Sequence, residues 1–269
     1  MMRVTVIYDN HAGYRKGPLG AHGFSVFVEV DGTGVLVDTG ADGEVLLGNM
    51  EKLGVSPGEI DYVFLTHGHY DHTGGLKALL EARRNPVEVI AHPEIFRHRI
   101  AIKPFRRNIG MPFTREELED AGARFVLKRE PFEFAPGIWS SGEIPRRTWD
   151  RAVGYIEENG NLVRDTVPDD VALIIDSGEE SVVITGCGHS GVLNIVQHAR
   201  NLLDRPVGVL MGGLHLLGVG RELLDDIVNN PPAGKIYAGH CTGVDSYAYL
   251  KSRLGDGMGL LHVGRSFEI

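Results

Sequence analysis

Within six positions, His67, His69, Asp71 and His72 put three imidazoles and a carboxylate on one turn. The apolar run Tyr62-Val63-Phe64-Leu65 precedes them and Gly74-Gly75 follow. Imidazole and carboxylate are the ligands that zinc and related ions take. Any fold of this chain must therefore end a strand in a ligand-rich turn and begin a helix just beyond it. Positions 67 and 69 can face one side and 71 and 72 another, so one turn can serve two ions. The paired glycines let helix and backbone pack closely. A polar loop whose histidines merely cap the helix would leave this density of donors unexplained.

The same device recurs along the chain. Strands are predicted near residues 3–8, 23–30, 35–38, 60–66, 87–91, 124–129, 138–140, 171–176, 181–185, 207–211 and 236–238, with two short ones at the C-terminus. Helices are predicted over 43–53, stopped by Gly54, and 74–84, ended by Asn85-Pro86. A short one begins at His92-Pro93, and another at the capping-box spacing Thr114-x-x-Glu117. Three more run from the 186–191 turn to about 203, over 220–229 and over 243–254. Residues 99–113 read as irregular and 141–170 as polar and turn-rich. A histidine or its turn follows a strand at 66–75, 186–191, 212–215 and 239–243. Sheets flanked by helices collect ligand sites at strand ends. The alternation predicts an α/β fold, with 1–269 as a single domain.

Composition narrows the function. A formal net charge of -9 over 269 residues argues against general nucleic-acid or anionic-membrane binding. One segment runs against that balance: Arg97, Arg99, Lys103, Arg106 and Arg107 form either a solvated face or a clamp for a substrate phosphate. Two cysteines, Cys187 and Cys241, provide no disulfide framework. Residues 1–8 read as a first strand, without the longer apolar core of a signal peptide. No apolar run is long enough to span a bilayer. A cytoplasmic enzyme acting on a small anionic substrate is expected, of open oligomeric state.

The string His67-x-His69-x-Asp71-His72 after an apolar strand resembles the signature of the metallo-β-lactamase superfamily. The hairpin ending in Asp38-Thr39-Gly40 and the later histidine turns extend the likeness over most of the chain. A narrower resemblance rests on Ala21-His22-Gly23-Phe24-Ser25, Thr185-Gly186-Cys187-Gly188-His189-Ser190-Gly191, Gly212-Gly213-Leu214-His215-Leu216 and Gly239-His240-Cys241-Thr242-Gly243. These strings are similar to a branch labelled as the archaeal dihydropterin-methyl-ribofuranosylaminobenzene-phosphate synthases, associated with methanopterin biosynthesis. The resemblance implies a four-layer αβ/βα sandwich with one or two divalent ions at the edge between two sheets. Zinc is the usual ion, with iron or manganese in some branches.

The resemblance implies His67 and His69 as ligands of a first ion, Asp71 and His72 of a second, and His240 as the last ligand. Many members supply another histidine just before the hairpin that here spans 171–185. This chain has none between His98 and His189, so the place is empty or filled by a carboxylate among Asp165, Asp169 and Asp170, with His189 as the best replacement. Where many members carry a bridging aspartate, this chain has Cys187, either a thiolate ligand or a small buried residue. Cys241 would point away from His240 on extended backbone. His22 and His215 stand beside the metal as candidate catalytic groups, with Asp71 orienting the nucleophile.

A metal with an open position lowers the pKa of bound water toward neutrality and polarises carbonyl or phosphoryl oxygens. The expected function is a metal-dependent hydrolase or transferase using metal-bound hydroxide on a small anionic, pterin- or phosphate-bearing molecule. The alternatives are a phosphodiesterase or nuclease of the same superfamily, or a non-catalytic metal-containing ligand-binding protein. Oxygen-reducing iron members have glutamate where this chain has His69, which counts against that branch.

Overall fold

The protein is described here by a computed structural model covering residues 1–14 and 16–269. Its backbone gathers into two compact units. The first comprises Met1–Lys128, Ala152–Asp169 and His262–Ile269; the second comprises Arg129–Arg151 and Asp170–Leu261.

The first unit is built on a seven-stranded sheet. Its order is Ser266–Glu268, Met2–Tyr8, Ser25–Val30, Thr33–Val37, Tyr62–Phe64, Val87–Ala91 and Ala123–Leu127. The first three pairings are antiparallel and the last three parallel. The hairpin between Ser25–Val30 and Thr33–Val37 turns on Asp31 (φ 47°) and Gly32 (φ 88°). Both central residues at positive φ is the type I′ pattern that matches strand twist, so the strands meet two residues earlier than predicted.

Helices α1 (Gly43–Leu53), α2 (Tyr70–Thr73), α3 (Leu76–Ala82) and α4 (Arg115–Asp120) belong to this unit. Helix α1 starts because Asp42 accepts hydrogen bonds from the Glu44 and Val45 amides, and it ends at Gly54 in the left-handed conformation. The helix expected over 74–84 is the shorter α3, Leu76–Ala82, and the short α2 before it was not foreseen. A Cβ on Gly74 would lie 2.2 Å from the Ala41 carbonyl oxygen, and one on Gly75 2.2 Å from that of Thr39. The backbone thus comes too close there for any side chain, and a separate four-residue α2 carries Asp71 and His72. Ile7, Leu36, Leu46, Met50, Val63, Leu76 and Leu79 form the core of this unit.

A four-stranded antiparallel sheet, ordered Asn161–Arg164, Tyr155–Glu158, Ile100–Ala101 and Arg107–Asn108, lies where only irregular chain was expected. Two of its strands are two residues long and carry no periodicity. The other two form a hairpin turned on Asn159 (φ 51°) and Gly160 (φ 78°). Asn-Gly is a strong hairpin signal that the sequence did contain.

The second unit has its own seven-stranded sheet. Its order is Met258–Leu260, Lys235–Gly239, Val207–Gly213, Ser181–Thr185, Leu173–Asp176, Ile138–Ser140 and Phe132–Ala135. The strand Phe132–Ala135 was not foreseen. The first four strands run parallel and the rest antiparallel. Helices α5 (Val192–Leu203), α6 (Arg221–Asn229) and α7 (Val244–Leu254) cover an apolar cluster that includes Ile174, Val183, Ile195, Leu210, Ile227, Ile236 and Leu250. Three neighbouring parallel strands end together, after Thr185, Gly213 and Gly239, and each hands the chain to a histidine-bearing turn. No helix among the described residues is long and apolar enough to cross a membrane.

Candidate metal-binding clusters

In the first unit the strand Tyr62–Phe64 delivers Thr66 and the ligand turn to the C-terminal edge of its sheet. His67, His69 and His72 gather there, with the His67 ring centroid 4.7 Å from that of His69 and 4.2 Å from that of His72. All three are buried. Asp38, fully buried at the end of the neighbouring strand and held at φ 55°, organises the turn. Its Oδ1 accepts the Thr66 amide at 2.8 Å, and its Oδ2 accepts the Thr66 hydroxyl at 2.7 Å. The same Oδ2 lies 2.6 Å from His72 Nδ1.

These bonds fix two tautomers. A carboxylate only accepts, so His72 Nδ1 carries its proton. Thr66 spends its one hydroxyl proton on Asp38, so His67 Nδ1, 3.0 Å from Thr66 Oγ1, must donate as well. In each ring Nε2 is then the nitrogen that could ligate, the arrangement by which a hydrogen-bonded Nδ1 orients a ligating histidine. His72 Nε2 is 3.8 Å from Asp71 Oδ2, which also stands 3.2 Å from Nε2 of the exposed His22. His22 Nδ1 lies 3.5 Å from the Asn10 amide nitrogen.

A second buried network holds the same turn from behind. Asp169 Oδ2 accepts the Gly68 amide at 2.8 Å. Arg99, fully buried, donates to Asp165 Oδ2 at 2.7 Å and to Asp169 Oδ1. A Cβ on Gly68 would meet the Ile95 carbonyl oxygen at 2.2 Å. Burial pushes the Asp169 carboxyl up to about 6, although Arg99 pulls it down. Asp165 and Asp169, considered from sequence as ligands, are thus engaged by a guanidinium. The basic segment is likewise not uniform. Arg99 is internal, Arg97 pairs with Glu94 and Glu158, and Lys103, Arg106 and Arg107 are exposed.

In the second unit, the turn after Thr185 brings Cys187 and His189, the turn after Gly213 brings His215, and the turn after Gly239 brings His240 and Cys241. His189 Nδ1 donates to the Arg151 carbonyl at 3.0 Å, which turns its Nε2 to the ligand side. The His189 and His215 ring centroids are 4.5 Å apart. Asp170, also considered as a ligand, instead accepts the Ser190 amide at 2.8 Å and so anchors the His189 turn; burial raises its carboxyl pKa. Cys187 Sγ lies 3.3 Å from His240 Nε2. His215 and His240 sit at φ 48° and 47°. Non-glycine residues are uncommon in that region, and such strain collects at functional sites.

Cys241 does not point away from His240. The backbone at His240–Thr242 is a 3₁₀ turn rather than extended, and that returns the Cys241 thiol to the cluster. Burial pushes this thiol up, but the hydrogen bond with Cys187 and the fields of His215 and His240 outweigh it and hold the pKa well below the ordinary thiol value. Sequence reasoning passed over this residue because adjacency to a histidine says nothing about a helical turn.

The first unit therefore collects His22, His67, His69, Asp71 and His72, and the second collects Cys187, His189, His215, His240 and Cys241. Imidazoles packed ring against ring, with the Nδ1 protons of His67, His72 and His189 given to oxygen acceptors, are a donor set that fits a divalent transition ion. The fold and these clusters define a metal-binding α/β protein, and the chain belongs to the metallo-β-lactamase superfamily, whose sequence profile matches residues 20–197.

Within that family it resembles the 7,8-dihydropterin-6-methyl-4-(β-D-ribofuranosyl)-aminobenzene-5′-phosphate synthase of Methanocaldococcus jannaschii. The two are 30% identical over 98% of this chain and 95% of the relative. An uncharacterized protein of the same organism is 32% identical over 89% of this chain and 90% of its own length. The crystal structure of a metal-dependent hydrolase of the β-lactamase superfamily superposes with a TM-score of 0.85 at 28% identity, covering 100% of this chain and 99% of the other.

Proposed function

We propose that this protein is a metal-dependent enzyme acting on a small anionic substrate, a phosphate ester bearing an aromatic or pterin group. The observation that carries this reading is the pair of imidazole tautomers set by Asp38 and Thr66, because a proton held on Nδ1 leaves Nε2 of His67 and His72 as the ring nitrogen that can ligate. The proposed ligands are His67, His69, Asp71 and His72 in the first unit and His189 and His240 in the second, with zinc as the proposed ion.

Bound there, a divalent ion would polarise a phosphoryl or carbonyl oxygen and lower the pKa of water. The chain's own groups do the rest. Asp71, with one carboxylate oxygen held by His22, orients the attacking group. His22 can carry a proton between Asp71 and solvent because it is exposed. His215 Nδ1 is buried with no hydrogen-bond partner and is available to take a proton. The exposed Lys103, Arg106 and Arg107 surround Phe105, which is 65% exposed. A basic loop tip with an aromatic side chain is suited to an aromatic phosphate. The full-length likeness to a named pterin-phosphate synthase supports the substrate class.

The test uses zinc-loaded protein and its His67→Ala variant. Each is given a dihydropterin donor with ribofuranosylaminobenzene 5′-phosphate, and separately a chromogenic phosphodiester. Coupled product seen by mass spectrometry from the wild type, absent from the variant together with its metal, is the expected result. Turnover of the phosphodiester alone would reassign the enzyme to phosphodiester hydrolysis. Undiminished activity in metal-free His67→Ala would sink the metal-dependent reading altogether.

A further inference from the structure

We propose that Cys187 and Cys241 are both metal ligands, which with His240 form a two-thiolate, one-imidazole site in the second unit. This rests on the reading above that the chain binds a transition ion, and it deepens it by assigning the soft donors.

The donor atoms of Cys187, His240 and Cys241 all lie within 4.8 Å of one another. A tetrahedral ion with metal–sulfur bonds of about 2.3 Å and metal–nitrogen bonds of about 2.0 Å separates its ligand atoms by roughly 3.5–3.8 Å. The observed 3.3 Å between Cys187 Sγ and His240 Nε2 is close to such an edge. Two of the three side chains are buried, and Cys241 is partly so. Local structure is shaped around the sulfurs: a Cβ on Gly213 would come within 2.6 Å of Cys241 Sγ, so only glycine leaves that atom its place. The 3₁₀ turn at His240–Thr242 brings consecutive residues to one side, which extended backbone would not. His215 can complete the sphere, since its ligand atom lies within 4.8 Å of those of Cys187 and His189.

Both sulfurs would bind as thiolates, so loading one ion forms two metal–sulfur bonds, and any proton still carried by either thiol goes to solvent. Thiolates favour zinc or cobalt over magnesium, calcium or manganese. The metal would thus be chosen by the cysteines as much as by the histidines.

The experiment is cobalt substitution of the full-length chain after removal of its metal by a chelator. The chain has only two cysteines, so any thiolate-to-cobalt charge-transfer absorption reports these residues. The expected result is a band that falls by roughly half in Cys187→Ser and in Cys241→Ser and vanishes in the double variant, as two equivalent soft ligands require. Both thiols should resist a thiol reagent in metal-loaded wild type and react after chelation, a measurement that needs no variant to fold. A wild-type band unchanged in Cys241→Ser would overturn the assignment of Cys241. So would a mass two hydrogens light in metal-free protein, which would make the pair a disulfide. Cobalt bound with a ligand-field spectrum but no thiolate band defeats this proposal alone. No cobalt bound at all defeats the metal-dependent function with it.

Discussion

Asp38 touches His72 and reaches His67 through Thr66, so few residues shape this turn. Their types and spacing stood out in the sequence because the donors lie within six positions and sterics allow only a few ways to place them. Which nitrogen of each ring carries the proton was not visible there, since that depends on Thr66 and on Asp38, 28 residues before it. His11, to which the sequence assigned no role, has an effect of its own. The hydrogen bond to buried Asp9 raises its pKa above the ordinary 6.5. Folding therefore binds a proton more tightly than the unfolded chain does. Its stabilisation is complete below pH 6.5 and disappears as pH rises through the elevated value. Urea midpoints measured across that window should fall with pH for wild type, and the slope should flatten in Asp9→Asn.

At the scale of elements, the strands and helices that were legible are those with sustained periodicity or a cap, such as Met2–Tyr8, α1 and α5. The sheet containing Ile100–Ala101 and Arg107–Asn108 was not, because two-residue strands have no pattern to read. Arg99 was misplaced for a different reason. Charge type suggests the surface, and the partners that bury it, Asp165 and Asp169, lie 66 and 70 residues further along. This network joins the Phe96–Ile100 region to the ligand turn through the Gly68 amide. Arg99→Met should leave two buried carboxylates without their cation and cost about 3–5 kcal/mol in chemical denaturation. A loss below 1 kcal/mol would mean that the aspartates take up protons or water without difficulty. If the backbone of the turn relaxes as a result, metal affinity should fall in parallel.

For the molecule as a whole, the sequence conveyed the family because its motifs occupy strand ends in both units. Substrate identity was less accessible, since an exposed loop such as the one carrying Phe105 has no periodicity or metal motif to read. Metal is expected to act on the entire fold: an ion at a hundred times its dissociation constant adds about 2.7 kcal/mol to stability. For a chain of this size, chelation should lower the melting temperature by roughly 5–10 °C. Calorimetry with and without chelator checks this, and an unchanged melting temperature would place the ion outside the folded framework.

Asp38 has one more consequence. Exchanging a single oxygen for an amino group, as in Asp38→Asn, preserves shape yet reverses a message. If the new amide nitrogen faces His72 and Thr66, it donates where both need an acceptor. Thr66 then turns its hydroxyl toward His67, and both imidazoles move their proton from Nδ1 to Nε2. The histidines would stay where they are, and each would offer a hydrogen where a lone pair had been.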